Sequence, residues 1–201
     1  IFLIKGSGVD FQRVTRRRFS ARENIVLYPA RVILEKGIKD FIHAAIELEK
    51  MKHDWKFVIA GEAEPRTLGM LGIEDGKLAQ GISNIKFIGH VENIYDLFSR
   101  TKIVCLPSFY REGLPLALVE AAAHGCVVVT TENVGCRDAV KNGETGILVP
   151  IKNVSALVNA LDSLMSSTSV MEEMSEKAAD FALSEFDVDD VVAAHIAIYQ
   201  R

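Results

Sequence analysis

Two acids, Glu112 and Glu120, stand on either side of a Gly-Leu-Pro-Leu step within "PSFYREGLPLALVEAAAHG", Pro107 to Gly125. Pro115 suits the start of a helix, where its missing N–H costs nothing. Gly113 lets backbone come close to a ligand. The amides of Gly113, Leu114 and Leu116 can then face an anion, helped by the helix dipole. Glu112, on the loop, is placed to accept bonds from sugar hydroxyls or to lie against developing positive charge. Glu120, in the helix, can take both hydroxyls of a ribose, as acids do in other α/β nucleotide sites. An exposed loop acid beside a solvated helix acid is an equally good account of the pair.

A second group lies in "ARVILEKG", where Arg31 and Lys36 flank a short loop ending at Gly37. Two cations there could neutralise a diphosphate, with charge-assisted bonds worth about 1.5–3 kcal/mol each. By spacing alone they read more simply as two exposed charges beside a turn. A third stretch, "TTENVGCRDAVKNGETG", places Gly135 and Cys136 before a helix. It reads first as turn chemistry and second as an anion-facing helix end.

Other chemistries fail on the residues. "GSGVDF" starts like a dinucleotide fingerprint, but Phe11 occupies the third glycine's place. There is no Walker A sequence, and the five histidines lack metal-ligand spacing. A glycosidase pair requires carboxyls about 5–5.5 Å apart in retaining enzymes, which a loop-and-helix placement of Glu112 and Glu120 does not favour.

The elements that hold these groups alternate along the chain. Strands are expected at "NIVLYPA", "WKFVIAG", "NIKFIG", "KIVCLP", "CVVVTT" and "TGILVP". "GIKDFIHAAIELEKM" is helical, with Ile38, Phe41, Ile42, Ala45 and Leu48 on one face. Further helices are expected from about Pro65 to Gln80, at "NIYDLFSR", in the stretch after Pro115, and near "CRDAVKN". Three more are expected near Val154–Met165, Val170–Phe181 and Val188–Tyr199. Strands apolar on both faces, alternating with helices, predict an α/β fold with a doubly wound parallel sheet. Ligands in such a sheet sit at the carboxyl ends of its strands.

The bulk properties agree. Of the 201 residues, 49% are hydrophobic, enough for a large core, and a net charge of −4 argues against a broad nucleic-acid surface. Cys105, Cys126 and Cys136 read as buried free thiols, which fits a reducing, cytoplasmic setting. "DFQRVTRRRFSARE", Asp10 to Glu23, with Arg13, Arg16, Arg17 and Arg18, reads as a solvated connector, with a membrane or phosphate patch as the lesser alternative.

Taken in order, "ARVILEKG", "FVIAGEAE", "IKFIGHVEN", "PSFYREGLPLALVEAAAHGCVVVTT" and "GCRDAVKNGETGILVP" resemble the C-terminal, Rossmann-like half of a GT-B glycosyltransferase of family 4. Ala30 stands where that family usually has glycine. The resemblance implies a retaining glycosyltransferase of the hexosyl or N-acetylhexosaminyl type. It implies that Arg31 and Lys36 bind the donor diphosphate, with backbone at Gly113, Leu114 and Leu116. Glu112 would be the catalytic acid beside the transferred sugar, Glu120 the ribose ligand, and Gly89, His90 and Val91 the border of the base. No metal or other cofactor is implied, and the donor is expected to be UDP-linked.

"REGLP" with "GCRDAV" is similar to bacterial members that build cell-surface polysaccharide on lipid-linked acceptors, at the inner face of the membrane. On this reading residues 1–23 end an interdomain connector and residues 24–185 form the donor domain. Residues 186–201 form a helix that packs toward an N-terminal acceptor domain lying outside this chain, so the chain alone is expected to bind donor without turnover. A non-catalytic nucleotide-sugar sensor is the alternative. A phosphorylase-like use of pyridoxal is a third reading, but no lysine lies in a segment suggesting a Schiff base.

Overall fold

The computed structural model describes residues 8–51, 54–63, 83–111 and 113–200, with positions 67, 69, 71, 73, 74, 77 and 78 between them. Strands β1 (Glu23–Pro29), β2 (Lys56–Ala60), β5 (Ile85–Gly89), β6 (Thr101–Leu106), β7 (Val127–Thr131) and β8 (Gly146–Val149) form one sheet. Its order is β5-β2-β1-β6-β7-β8, and every neighbouring pair is parallel. Covered by helices, its central strands need no polar face: every residue of β7 is buried.

Helices α1 (Ile38–Lys50), α2 (Ile94–Arg100), α3 (Leu116–Ala123), α4 (Val154–Met165), α5 (Thr168–Phe186) and α6 (Val188–Tyr199) supply that cover. The five predicted core positions of α1 are all buried. On its buried face Phe41 meets Tyr28 at a tilt and Phe57 edge-on, with ring centroids 5.4 and 5.7 Å apart. α1 packs on α4, whereas α2 and α5 pack on α3. Right-handed crossovers running outward from the sheet centre in two directions put these groups on opposite faces.

Four expectations need correction. The helix expected from about Pro65 to Gln80 is present at the described positions Thr67, Gly69 and Leu71 but does not reach Gln80. Ile73–Glu74 (β3) pairs antiparallel with Lys77–Leu78 (β4), and the intervening Asp-Gly is a hairpin signal that a helical reading overrides. Near "CRDAVKN" there is only a single 3-10 turn, Arg137–Ala139, after which Val140 is extended. The helix expected near Val170–Phe181 is longer, Thr168–Phe186.

Finally, Asp10–Glu23 is not merely a solvated connector. Phe19 is buried, and the guanidinium of Arg22, 5% exposed, donates to the carbonyls of Arg17, Thr101 and His124. It thereby closes the carboxyl end of α3, whose last carbonyls have no helical donor. The three cysteines are buried and outside any disulfide, as expected, and burial pushes the Cys126 thiol up to about 12.

Candidate functional site

β1 and β6 lie side by side, but the chain leaves them in opposite directions, toward β2 and toward β7. In open parallel sheets ligands bind at such a reversal, outside the carboxyl ends of the strands. The first loop carries Arg31 and Lys36. Its backbone is fixed from below by Tyr28, a core residue of β1. The Tyr28 hydroxyl lies 3.2 Å from the Arg31 carbonyl and 3.3 Å from that of Lys36. A 3-10 turn, Leu34–Lys36, then ends at Gly37, which starts α1 in the left-handed region at φ 77°.

Gly37 also locks this loop to the one after β6. A Cβ there would stand 1.9 Å from the Pro107 carbonyl oxygen, so no side chain fits. The Phe109 amide donates to the Glu35 carbonyl at 2.9 Å, and the Ser108 hydroxyl to the same oxygen at 3.4 Å. From the other side Thr131 donates to the Ser108 carbonyl, and Asn133 to that of Tyr110 at 2.7 Å. A connection between two sheet strands is thus braced along both flanks. Such bracing lets a loop present groups at fixed distances.

Lys36 is buried, with its ammonium 5.4 Å from the centre of the Tyr110 ring. Arg31 is exposed. Gly113 is exposed as well, with nothing within 4 Å of where a Cβ would be. Pro115 occupies the position just before α3 rather than its first turn, and no side chain caps that end. Leu116 is exposed and Leu114 half-buried there. Glu112, read from the sequence as the catalytic acid, lies outside the described residues.

Glu120 is half-buried in α3, and burial raises its proton affinity above the ordinary carboxylate range. Two neighbours oppose that shift: the Tyr95 hydroxyl, 2.8 Å from Oε1, and the charge of Arg13. Neither neighbour belongs to a motif: Tyr95 was not singled out in the sequence, and Arg13 was read there only as part of the arginine-rich connector. The only signal was a tyrosine in the first turn of a short helix.

Beyond Arg31 a cleft of about 350 Å³ opens over the ends of β1, β2 and β5. Its walls are residues 29–31 and 60–62 with His90, Val91 and Ile94, so Arg31 and two of the three residues expected to border the base share it. Lys36, Gly113, Leu114, Leu116 and Glu120 are not part of those walls; they belong to the β1 and β6 loops and to α3. Gly89 ends β5 at φ 70°, where a side chain would be strained, and its carbonyl accepts the Gly61 amide at 2.7 Å. Glu62, an acid on the rim, was not singled out in the sequence. The cleft falls within the usual range for small-molecule sites, about 300–1,000 Å³.

Residues 12–181 match the family model described as "Glycosyl transferases group 1". The alpha-D-kanosaminyltransferase of Streptomyces kanamyceticus is 31% identical over 182 residues, 88% of this chain and 45% of that protein. An alpha-1,4-N-acetyl-D-galactosaminyltransferase of Campylobacter jejuni, named for a diphospho-undecaprenol-linked acceptor, is 30% identical over 81% of this chain and 45% of its own length. The chain spans about half the length of these curated relatives.

Among solved structures, the C-terminal domain of a group 1 protein, LpcC, from Francisella tularensis superposes with a TM-score of 0.76. It is 26% identical, with 90% of this chain and all of that one covered. Anabaena HepE, solved in complex with UDP-glucose, superposes at 0.77 with 20% identity, over 96% of this chain and 56% of HepE. The architecture is therefore that of the C-terminal Rossmann-like half of a GT-B enzyme.

Proposed function

This chain belongs to the glycosyl transferases group 1 family, and we propose that it is the donor-binding domain of a retaining glycosyltransferase that uses a UDP-linked hexose or N-acetylhexosamine. The observation that carries this reading is the pair of interlocked loops at the β1–β6 crevice. One presents Arg31 and Lys36, the other leads through Gly113 to the uncapped start of α3, and Gly37 holds them against each other.

In this reading the base enters the cleft beside Gly89, His90 and Val91. The diphosphate lies between the cations and the amides of Gly113, Leu114 and Leu116. Arg31 grips two phosphate oxygens at once, while Lys36 serves as a point charge. Lys36 is held largely out of water, so its attraction for a phosphate is screened less than at an open surface. These groups stabilise charge that grows on the leaving diphosphate as the sugar–phosphate bond breaks, and no metal is required for that task. Glu112 sits by the transferred sugar, and Glu120 accepts from the ribose hydroxyls.

The acceptor is supplied by a second, N-terminal domain. We take it to be a lipid-linked saccharide at the cytoplasmic membrane surface in polysaccharide assembly; the undecaprenol-linked acceptor in the name of the Campylobacter relative supports the lipid-linked part of this reading. This domain alone binds donor with little or no transfer.

Calorimetric titration with UDP, GDP and ADP, free and sugar-linked, tests the proposal. One of them, expected to be UDP, binds at a single saturable site. Lys36→Ala weakens the diphosphate about 10- to 100-fold, the loss of one charge-assisted contact, and leaves the nucleoside unchanged. Absence of binding by all three, or equal loss of diphosphate and nucleoside, overturns it.

A further inference from the structure

Tyr95 occupies a junction that the proposed donor chemistry does not yet use. It follows directly on Ile94, a wall of the 350 Å³ cleft, and lines a second, more polar cleft of about 300 Å³ with Arg13, Thr15 and Arg17. Its hydroxyl donates to Oε1 of Glu120 at 2.8 Å. One face of its ring is covered by Arg13, whose guanidinium carbon is 5.0 Å from the ring centre. The ring also packs against buried His124, with centroids 4.9 Å apart. His124 in turn lies 2.8 Å through Nδ1 from the backbone carbonyl of Glu120. The aromatic ring is therefore fixed by contacts at more than one point, and its hydroxyl has a set direction.

We propose that Tyr95 is a positioning residue for nucleotide recognition: it holds the Glu120 carboxylate at one oxygen, with Arg13 seating its ring, so that the carboxylate meets the ribose in a fixed orientation. This rests on the reading of Glu120 as the ribose ligand.

A carboxylate offers about four lone-pair sites. Oε1 can accept from Tyr95 and from one ribose hydroxyl together, while Oε2 takes the second hydroxyl. Free in solution, a glutamate side chain loses rotamer entropy when it binds; held in advance by Tyr95, it loses less. The cation of Arg13 adds to this by favouring the ionised carboxylate, which accepts from hydroxyls more strongly than the acid does. Tyr95 thus contributes through Glu120 rather than by touching ligand.

The test compares each nucleoside diphosphate with its 2′-deoxy counterpart, on the same chain, using whichever of UDP, GDP and ADP binds best. Tyr95→Phe keeps the ring packing and removes only the hydroxyl. It is expected to weaken the ribonucleotide about five- to tenfold while changing the deoxynucleotide far less, so that discrimination between them narrows. In a Glu120→Ala background, Tyr95→Phe is expected to add little further loss, since the side chain it orients is gone. Arg13→Gln is expected to act in the same direction and more weakly.

Equal weakening of ribo- and deoxynucleotide, or full additivity with Glu120→Ala, overturns the role of Tyr95 while leaving the donor site standing. If Glu120→Ala itself does not narrow discrimination, the ribose assignment fails and this inference with it. If no nucleotide binds the parent chain, both fail.

Discussion

Glu120 illustrates a conflict between stability and recognition within one side chain. Its proton affinity is raised in the fold chiefly by burial. Between the ordinary value of 4.5 and the raised one, the folded state holds a proton that the unfolded state has released. Stability therefore falls as pH rises through that window, and above it the ionised carboxylate is a standing cost. Glu120→Gln removes the cost and can still accept from Tyr95. Thermal melts are expected to show the variant more stable than the parent at pH 7, with the gap closing toward pH 4. Nucleotide affinity falls in the same variant by about 10- to 100-fold. A variant that melts lower at pH 7 contradicts this account.

Arg31, Lys36 and Glu120 were singled out as candidates in the sequence because each lies in a stretch whose glycines, prolines and charges carry local meaning. Tyr95 and Arg22 were not. Tyr95 meets its acid 25 positions away, and Arg22 meets the His124 carbonyl at a separation of 102. No local pattern encodes such a meeting, which exists only once the sheet order is known.

The decisive connection between elements is the contact of the β1 and β6 loops at Gly37. Gly37→Ala would place a methyl against the Pro107 carbonyl and hold a non-glycine residue at φ 77°. Left-handed backbone costs about 1–2 kcal/mol, and overpacking about 1–3 more. Urea unfolding is thus expected to show a loss of about 2–5 kcal/mol, with weaker diphosphate binding at temperatures where the variant remains folded. An unchanged midpoint would mean that the loops are not locked together here.

Strands were the most readable elements, because runs such as "CVVVTT" must be buried on both faces and nothing competes with that reading. The pairs formed by Ile73–Glu74 and Lys77–Leu78 were the least readable. Helix-compatible residues there obscured an Asp-Gly hairpin signal, and the observed Ile73–Leu78 and Glu74–Lys77 pairs followed the turn chemistry instead. The single turn at Arg137–Ala139 shows the same limit, since a short polar stretch with glycines at both ends supports little helix.

At the scale of the whole molecule, strand order determines where chemistry can occur. With β1 central and the chain winding outward on both sides, there is one place in this sheet where adjacent crossovers part, between β1 and β6. The fold class was legible from alternation alone; this position was not, since alternation does not order strands. The far end of the chain adds a second molecular feature. α6 has no buried residue, and Val192, Ile196 and Tyr199 stand exposed along it. We read this helix as the part that clasps the acceptor domain. Its start is tied to the opposite end of the described chain: the Val9 amide donates to Phe186, and the Val188 amide to Val9.

The central claim is that a nucleoside diphosphate binds at the β1–β6 crevice, and amide chemical-shift mapping during a UDP titration tests it most directly. The account predicts saturable shifts concentrated at Ala30–Gly37, Gly89–Val91 and Gly113–Ala117, with little change on the face formed by α1 and α4. Shifts confined to that α1–α4 face, or a spectrum that UDP leaves unchanged, would contradict it.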